Sequence, residues 1–202
     1  MPSIRKVKPV NNNINLLLAG VGGQGTILAS RIIAYAAQCS GLEVKLSEIH
    51  GMAQRGGSVV THLRMGQEIY SPLIEVGTAD IIMATEQLEA WRWLPYLKEG
   101  GTVIVNAQVI SPVPVILGLK EYPSGILERL KENVPQTFTL DALKMAREAG
   151  NEKAANVVLL GLLASQMNFD SACWEEALKV VLPAKILEPN LKAFQMGFQS
   201  QA

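Results

Sequence analysis

Apolar and polar positions first fall into a regular pattern at Ile14. Ile14 to Ala19 is a short apolar run that reads as a buried strand, GVGGQG at 20–25 is a turn, and Thr26 to Ser40 is a helix. Ile27, Leu28, Ile32 and Tyr35 recur on one face of that helix, and Gly41 stops it. Leu42 to Ile49 alternates enough for a second strand. HGMAQRGG at 50–57 has no helical or strand period and reads as a loop. Ser58 to Met65 sets Val59, Thr61 and Leu63 against Val60, His62 and Arg64, as a strand does, and a turn at Gly66-Gln67 leads to a further strand, Ile69 to Ile74. Ala79 to Thr85 is another buried strand. Glu86 to Lys98 is an amphipathic helix ended by Gly100-Gly101, and Thr102 to Asn106 is a strand again. Prolines 112, 114 and 123 make Ser111 to Pro123 an extended surface excursion. Helices follow at Ser124 to Val134, Asp141 to Ala149, Glu152 to Met167, Ser171 to Val181 and from Pro189 to Phe198, with a short strand at Thr137 to Leu140. The pattern predicts an α/β protein: a Rossmann-like three-layer sandwich with a mainly parallel central sheet, a β extension after the second strand and a helical C-terminal part. A single domain over 14–202 follows a flexible lead, 1–13, that holds Pro9 and three asparagines in a row.

Composition narrows the chemistry. With 18 basic and 18 acidic residues the formal net charge is zero, so the basic surface that grips nucleic acid is missing and no nucleic-acid partner is expected. Cys39 and Cys173, the 2 cysteines, stand far apart in apolar helical stretches with no CxxC pair, which supplies neither a zinc site nor the thiolates of an iron–sulfur cluster. Any such cluster is expected on another chain, and a disulfide-dense secreted fold is excluded. No signal-peptide core and no span of roughly 18 apolar residues occurs, so no membrane association and a cytoplasmic location are expected.

Gly20, Gly22 and Gly25 satisfy G-x-G-x-x-G between a strand and a helix, the context in which that motif places a pyrophosphate on a helix N-terminus. A dinucleotide also needs an acid at the end of the second strand for the ribose. Glu43 lies too early, and Glu48 is followed at once by HGMAQRGG. The corner is therefore open to four readings: packing of helix on sheet, a phosphate-bearing or otherwise anionic ligand, a partner's loop, or a dinucleotide held without that acid. His50, Gln54 and Arg55 are donors and acceptors suited to anions, and glycines on both sides let their backbone come close to a ligand or another chain. No GxSxG elbow accompanies the 2 histidines, so independent hydrolysis is not expected. Glu86, Glu89 and Arg92 line one helical face beside Trp91 and Trp93, either as a solvated salt-bridged face or as an interface. Asn156, alone on an apolar helix, reads as a helix-packing hydrogen bond.

GVGGQG at 20–25, HGMAQRGGSV at 50–59, SPLIEVGTADIIMATEQLEAWR at 71–92 and NVVLLGLL at 156–163 together resemble the gamma-type subunit or domain of the 2-oxoacid:ferredoxin oxidoreductases. A short free-standing chain with HGMAQRGG is most similar to the branch that acts on indolepyruvate. The resemblance implies one subunit of a complex that decarboxylates an arylpyruvate oxidatively, transfers the acyl group to coenzyme A and passes electrons to ferredoxin. It implies that the chain alone binds no cofactor, that thiamine diphosphate and 4Fe-4S clusters sit on a large partner subunit, and that coenzyme A is a co-substrate. It also marks Gly20, Gly22, Gly23, Gln24 and Gly25 with His50, Gln54, Arg55, Gly56 and Gly57 as the functional face, with no catalytic base among them. The remaining alternatives are a stand-alone NAD(P)-binding dehydrogenase and a non-catalytic binding module, and self-association of the isolated chain is left open.

Overall fold

The computed structural model describes residues 13–51 and 56–200. The lead before Asn13 and the segment 52–55, with Gln54 and Arg55, lie outside the described residues. Strands β1 (Ile14–Val21), β2 (Glu43–His50), β3 (Ser58–Gly66), β4 (Ala79–Ala84), β5 (Leu97–Asn106) and β6 (Thr137–Leu140) form one sheet in the order β2-β3-β1-β4-β5-β6. β1, β4, β5 and β6 run parallel, whereas β3 is antiparallel to both β1 and β2.

The helices are α1 (Thr26–Cys39), α2 (Gln87–Trp93), α3 (Val113–Ile116), α4 (Ile126–Asn133), α5 (Ala142–Glu148), α6 (Ala155–Ser165), α7 (Ser171–Val181) and α8 (Ala184–Gln199). Apolar residues on both sides of β1 explain the three layers. Leu16 and Leu18 enter a core shared with α1, α5, α6, α7 and α8, while Leu17 and Ala19 enter a second core under α2 and α4. Helix α6 is buried from Asn156 to Ala164, as a helix apolar on all sides must be, with α8 over it.

Several expectations change for physical reasons. Ile69 to Ile74 is not a strand: β3 is already paired on both edges, and side chains take the segment's backbone groups instead. Glu43 accepts the Ile69 N–H at 2.9 Å, His62 Nδ1 accepts the Ile74 N–H at 3.1 Å, and Arg64 donates to Ser71 O at 3.1 Å. The helix expected over Glu86 to Lys98 stops at Trp93, because Pro95 turns Leu94–Tyr96 into a 3-10 turn, and Leu97 already pairs with Ala79. Gly100-Gly101 therefore lies in an irregular stretch of β5 rather than at a helix end. The proline-rich excursion contains the short helix α3. Helix α8 starts at Ala184 and takes Pro189 into its interior, where the Asn190 side chain donates to Ile186 O at 2.7 Å.

The sequence reading left the two cysteines unpaired, yet Cys39 and Cys173 form a disulfide between α1 and α7, their Cα atoms 5.6 Å apart and 134 residues apart in sequence. The Tyr35 hydroxyl donates to Glu176 across the same helix pair at 3.0 Å. A crosslink closing so long a loop contributes about 2–5 kcal/mol. Reduction, or Cys39→Ser, is expected to lower the thermal midpoint by about 5–15 °C in calorimetry; an unchanged midpoint would show that the bond constrains nothing. Among the described residues no helix is long and apolar enough to cross a membrane.

Candidate functional site

The C-terminal ends of β1, β4 and β5 and the β2–β3 connection lie along one edge of the sheet, because β2 runs parallel to β1 with β3 returning between them. In open α/β sheets ligands bind at such an edge, where the connections part to opposite faces. That point falls between β1 and β4.

Two glycines of the corner are explained by what they pack against. A Cβ on Gly20 would collide with Thr85 Oγ1, and Gly25 has a positive φ of 79° with Asn156 Nδ2 only 2.5 Å from where its Cβ would stand. Asn156 donates from that nitrogen to Gly25 O at 3.0 Å, the packing role its lone polar position suggested. Gly23 differs: its φ is 101°, it is exposed, and nothing lies within 4 Å of a Cβ built there. Its backbone is the part of the corner a ligand or partner can approach.

Gln24 is spent internally. Its Oε1 accepts from Val21 N at 2.8 Å and from the Thr85 hydroxyl at 2.6 Å, while its Nε2 donates to Thr85 O and Gln108 Oε1, each at 3.2 Å. It works as a strut across the β1–β4 gap. Asn106 continues the network, donating to Thr85 O at 3.1 Å and accepting the Ala142 N–H at 3.0 Å.

The two glycine loops meet through their backbones. Gly22 N–H donates to Gly57 O at 2.8 Å, and Gly56 N–H donates to Gly22 O at 3.3 Å. The structure thus joins the turn at Gly22 and Gly23 with Gly56 and Gly57, while Gly20 is buried behind it. His50 is exposed at the end of β2, its Nδ1 3.1 Å from Gly51 O.

Pockets flank Gly23 on both sides. One, of about 470 Å³, is lined by Gly22, Gly25, Thr26, Glu48, His50 and Val59. The other, of about 410 Å³, lies over the β4 and β5 ends and is lined by Gln24, Thr85, Asn106, Gln108, Ile110 and Lys153 among others. The first exposes the N-terminal N–H groups of α1 beside an open backbone, a setting that favours an anion. Glu48 on its rim opposes this, and with β3 interposed, β2 is not the strand next to β1 that presents a ribose-binding acid in a dinucleotide fold.

The Glu86 and Glu89 face is not solvated. Glu86 is 1% and Glu89 4% exposed, and only Arg92 reaches water. Glu86 caps α2 by accepting Glu89 N–H at 2.9 Å; it also accepts Ile110 N–H at 3.2 Å and the Tyr122 hydroxyl proton. Burial, reinforced by the Glu86 carboxylate, raises the Tyr122 phenol far above its usual range. Glu89 accepts from Ser58, the first residue after the 50–57 loop, at 2.5 Å and pairs with Arg92 at 3.4 Å; burial raises its carboxyl all the same. His62 is 3% exposed, edge-on to Tyr96, and burial lowers its pKa, consistent with its use as a neutral acceptor for Ile74. It is structural. Thr85, Asn106 and Gln108, which with Gln24 form one network, were not singled out from the sequence; their signal was polar residues ending two otherwise apolar strands.

Among the described residues no group of three or more His, Cys, Asp or Glu side chains could hold a metal ion. Comparison with known proteins decides the family. The sequence model of the pyruvate ferredoxin/flavodoxin oxidoreductases matches residues 15–200. The chain belongs to this family. It is 40% identical over 193 residues to the indolepyruvate oxidoreductase subunit IorB of Pyrococcus horikoshii, across 92% of this chain and 95% of that one. The solved gamma subunit of a keto/oxoacid ferredoxin oxidoreductase from Geobacter sulfurreducens superposes with a TM-score of 0.69 at 28% identity, over 92% of this chain and 96% of the other. The same fold, at 22% identity and a TM-score of 0.68, makes up 31% of a chain of the 2-oxoglutarate:ferredoxin oxidoreductase of Magnetococcus marinus and covers 93% of this one. The chain is therefore a gamma-type member of the pyruvate ferredoxin/flavodoxin oxidoreductases, with the mixed sheet and helical C-terminal part of its relatives.

Proposed function

We propose that this chain is the small subunit of a cytoplasmic indolepyruvate:ferredoxin oxidoreductase, which converts an arylpyruvate and coenzyme A to the acyl-CoA and carbon dioxide and passes two electrons to ferredoxin. The observation that carries this reading is the 40% identity to an indolepyruvate oxidoreductase subunit along nearly the whole of both chains. Thiamine diphosphate and 4Fe-4S clusters on the large partner subunit supply the decarboxylation and the electron path. This chain binds neither, and meets ferredoxin only through that partner.

Its own residues provide a surface. Gly23, with the α1 N-terminus behind it, presents open backbone to the phosphates of coenzyme A, and Gly22 beside it is held by its backbone bonds to Gly56 and Gly57. Gly20, Gln24 and Gly25 hold that backbone in place through Thr85 and Asn156, and Gly56 and Gly57 fix the start of β3 against it. His50 stands on the rim of that surface, and Gln54 and Arg55 follow it in the sequence as further anion-binding side chains. None of these groups acts as a proton acceptor in the chemistry.

The test is to purify this chain with the large thiamine and iron–sulfur subunit of its own genome and assay coenzyme A-dependent dye reduction with indolepyruvate, phenylpyruvate, pyruvate and 2-oxoglutarate. Aryl substrates are expected to give the highest kcat/KM. Preference for 2-oxoglutarate would overturn the substrate class, and saturable NADH binding by the isolated chain, lost in Gly22→Val, would overturn the reading itself.

A further inference from the structure

The segment after β5 leaves more apolar surface in water than a free-standing chain has reason to. Val109, Val113, Ile116, Leu117 and Leu119 are 51%, 60%, 71%, 65% and 74% exposed, and no charged residue falls between 109 and 119. Single exposed apolar residues are ordinary; five within eleven positions form a patch of the kind that partners cover.

The segment is also held rigid. Ile110 N–H at its start and the Tyr122 hydroxyl just beyond its end both donate to the buried Glu86 carboxylate. Between these anchors Pro112 O accepts Ile116 N–H at 3.1 Å, and Pro114 O accepts Leu119 N–H at 2.9 Å. A loop fixed at both ends and bonded within loses little freedom on binding, so its apolar area converts efficiently into affinity.

Its place in the fold names the occupant. The segment rises from the edge that carries the glycine corner, and Gln108 and Ile110 at its root line the pocket over β4 and β5. In the Magnetococcus chain this fold is about a third of a longer polypeptide, so contacts with the rest of the enzyme can be made within one chain. In a separate subunit the same contacts must be made between chains.

We infer that the apolar tip at residues 109–119 is the surface by which this chain docks its large thiamine and iron–sulfur subunit, through an uncharged apolar groove on that subunit, so that docking closes the partner over the Gln108–Ile110 side of the pocket. The inference rests on the proposed function. A second copy of this chain is the competing occupant. Leu73 and Val76, 54% and 64% exposed in the β3–β4 connection at the opposite edge of the sheet, serve as the control patch.

The experiment measures the affinity of the purified chain for the large subunit by biolayer interferometry, and the mass of the isolated chain by light scattering. Ile116→Asp with Leu119→Asp is expected to weaken binding about 30-fold or more, with the chain's own thermal midpoint within about 2 °C of wild type. Leu73→Asp with Val76→Asp leaves the affinity unchanged. If the aspartates disturb folding, Ile116→Ser with Leu119→Ser repeats the test at smaller electrostatic cost. Wild-type affinity in the tip variants overturns the inference, as does a wild-type homodimer that the tip variants split without changing affinity for the large subunit. If the wild-type chain does not bind the large subunit at all, the proposed function falls first and the inference with it.

Discussion

Gly161→Ala is expected to lower the thermal midpoint by about 4–8 °C, although alanine is the better helix former. Helices α6 and α8 touch backbone to backbone, with one glycine from each at the contact. A Cβ at 161 would overlap Phe194 O and stand 2.7 Å from Phe198 N; one at 197 would overlap Val158 O and stand 3.2 Å from Leu162 N. The obstructing atoms belong to helix backbones rather than to flexible side chains, so relief requires the whole of α8 to move off α6. That movement opens the core around Val158, Leu162 and Phe194. Overpacking of this kind costs about 3 kcal/mol, against which the propensity gain of about 1 kcal/mol is too small. Gly161→Val is expected to yield no soluble chain. A midpoint that rises in Gly161→Ala would show that propensity wins and that the helices part without penalty.

Glu86→Ala is expected to destabilise the chain by about 3–5 kcal/mol in denaturant unfolding. Its carboxylate serves three donors: Glu89 N–H at the start of α2, Ile110 N–H and the Tyr122 hydroxyl. Alanine strands all three in a site where Glu86 itself is 1% exposed, and each buried donor left unmet costs about 1–3 kcal/mol. Glu86→Gln keeps an acceptor oxygen and is expected to lose only about 1–2 kcal/mol. The variant has a second consequence, because the same carboxylate anchors both ends of the apolar tip. Glu86→Ala should weaken binding of the large subunit under conditions where the chain remains folded, with no apolar group altered. A loss below about 0.5 kcal/mol would mean that the three donors find other partners and that Glu86 is no anchor.

Much of the architecture was legible because it is local. The apolar run at Ile14, the helix from Thr26 and the short strand Thr137 to Leu140 each carry their own period and appear where it put them, but the buried face of the helix is Ala29, Ile32, Ile33, Ala36 and Ala37, while Ile27 of the expected face is exposed. Elements misread from the sequence are those decided at long range. Ile69 to Ile74 alternates like a strand but finds both edges of β3 occupied, and the position of Pro189 as a helix start failed because α8 gains enough by packing on α6 to carry a proline inside it. The disulfide joins residues 134 positions apart, and neither cysteine's surroundings in sequence point to the other.

The candidate site divides in the same way. GVGGQG announced a strand, a turn and a helix, and the fold supplies them. What the glycines are for lies outside the motif, in Thr85 for Gly20 and in Asn156, 131 residues away, for Gly25. The network of Gln24, Thr85, Asn106 and Gln108 was invisible because its members sit at the ends of three strands that only the sheet order brings together. HGMAQRGG carried the family resemblance, and its described ends, His50 and Gly56-Gly57, stand beside the glycine corner as a shared surface requires.

The most direct measurement titrates this chain into its purified large subunit and follows coenzyme A-dependent dye reduction with indolepyruvate. Negligible turnover by either component alone, and activity that rises to saturation at one chain per large subunit, are the expected results. Full activity of the large subunit without this chain would contradict the proposed function.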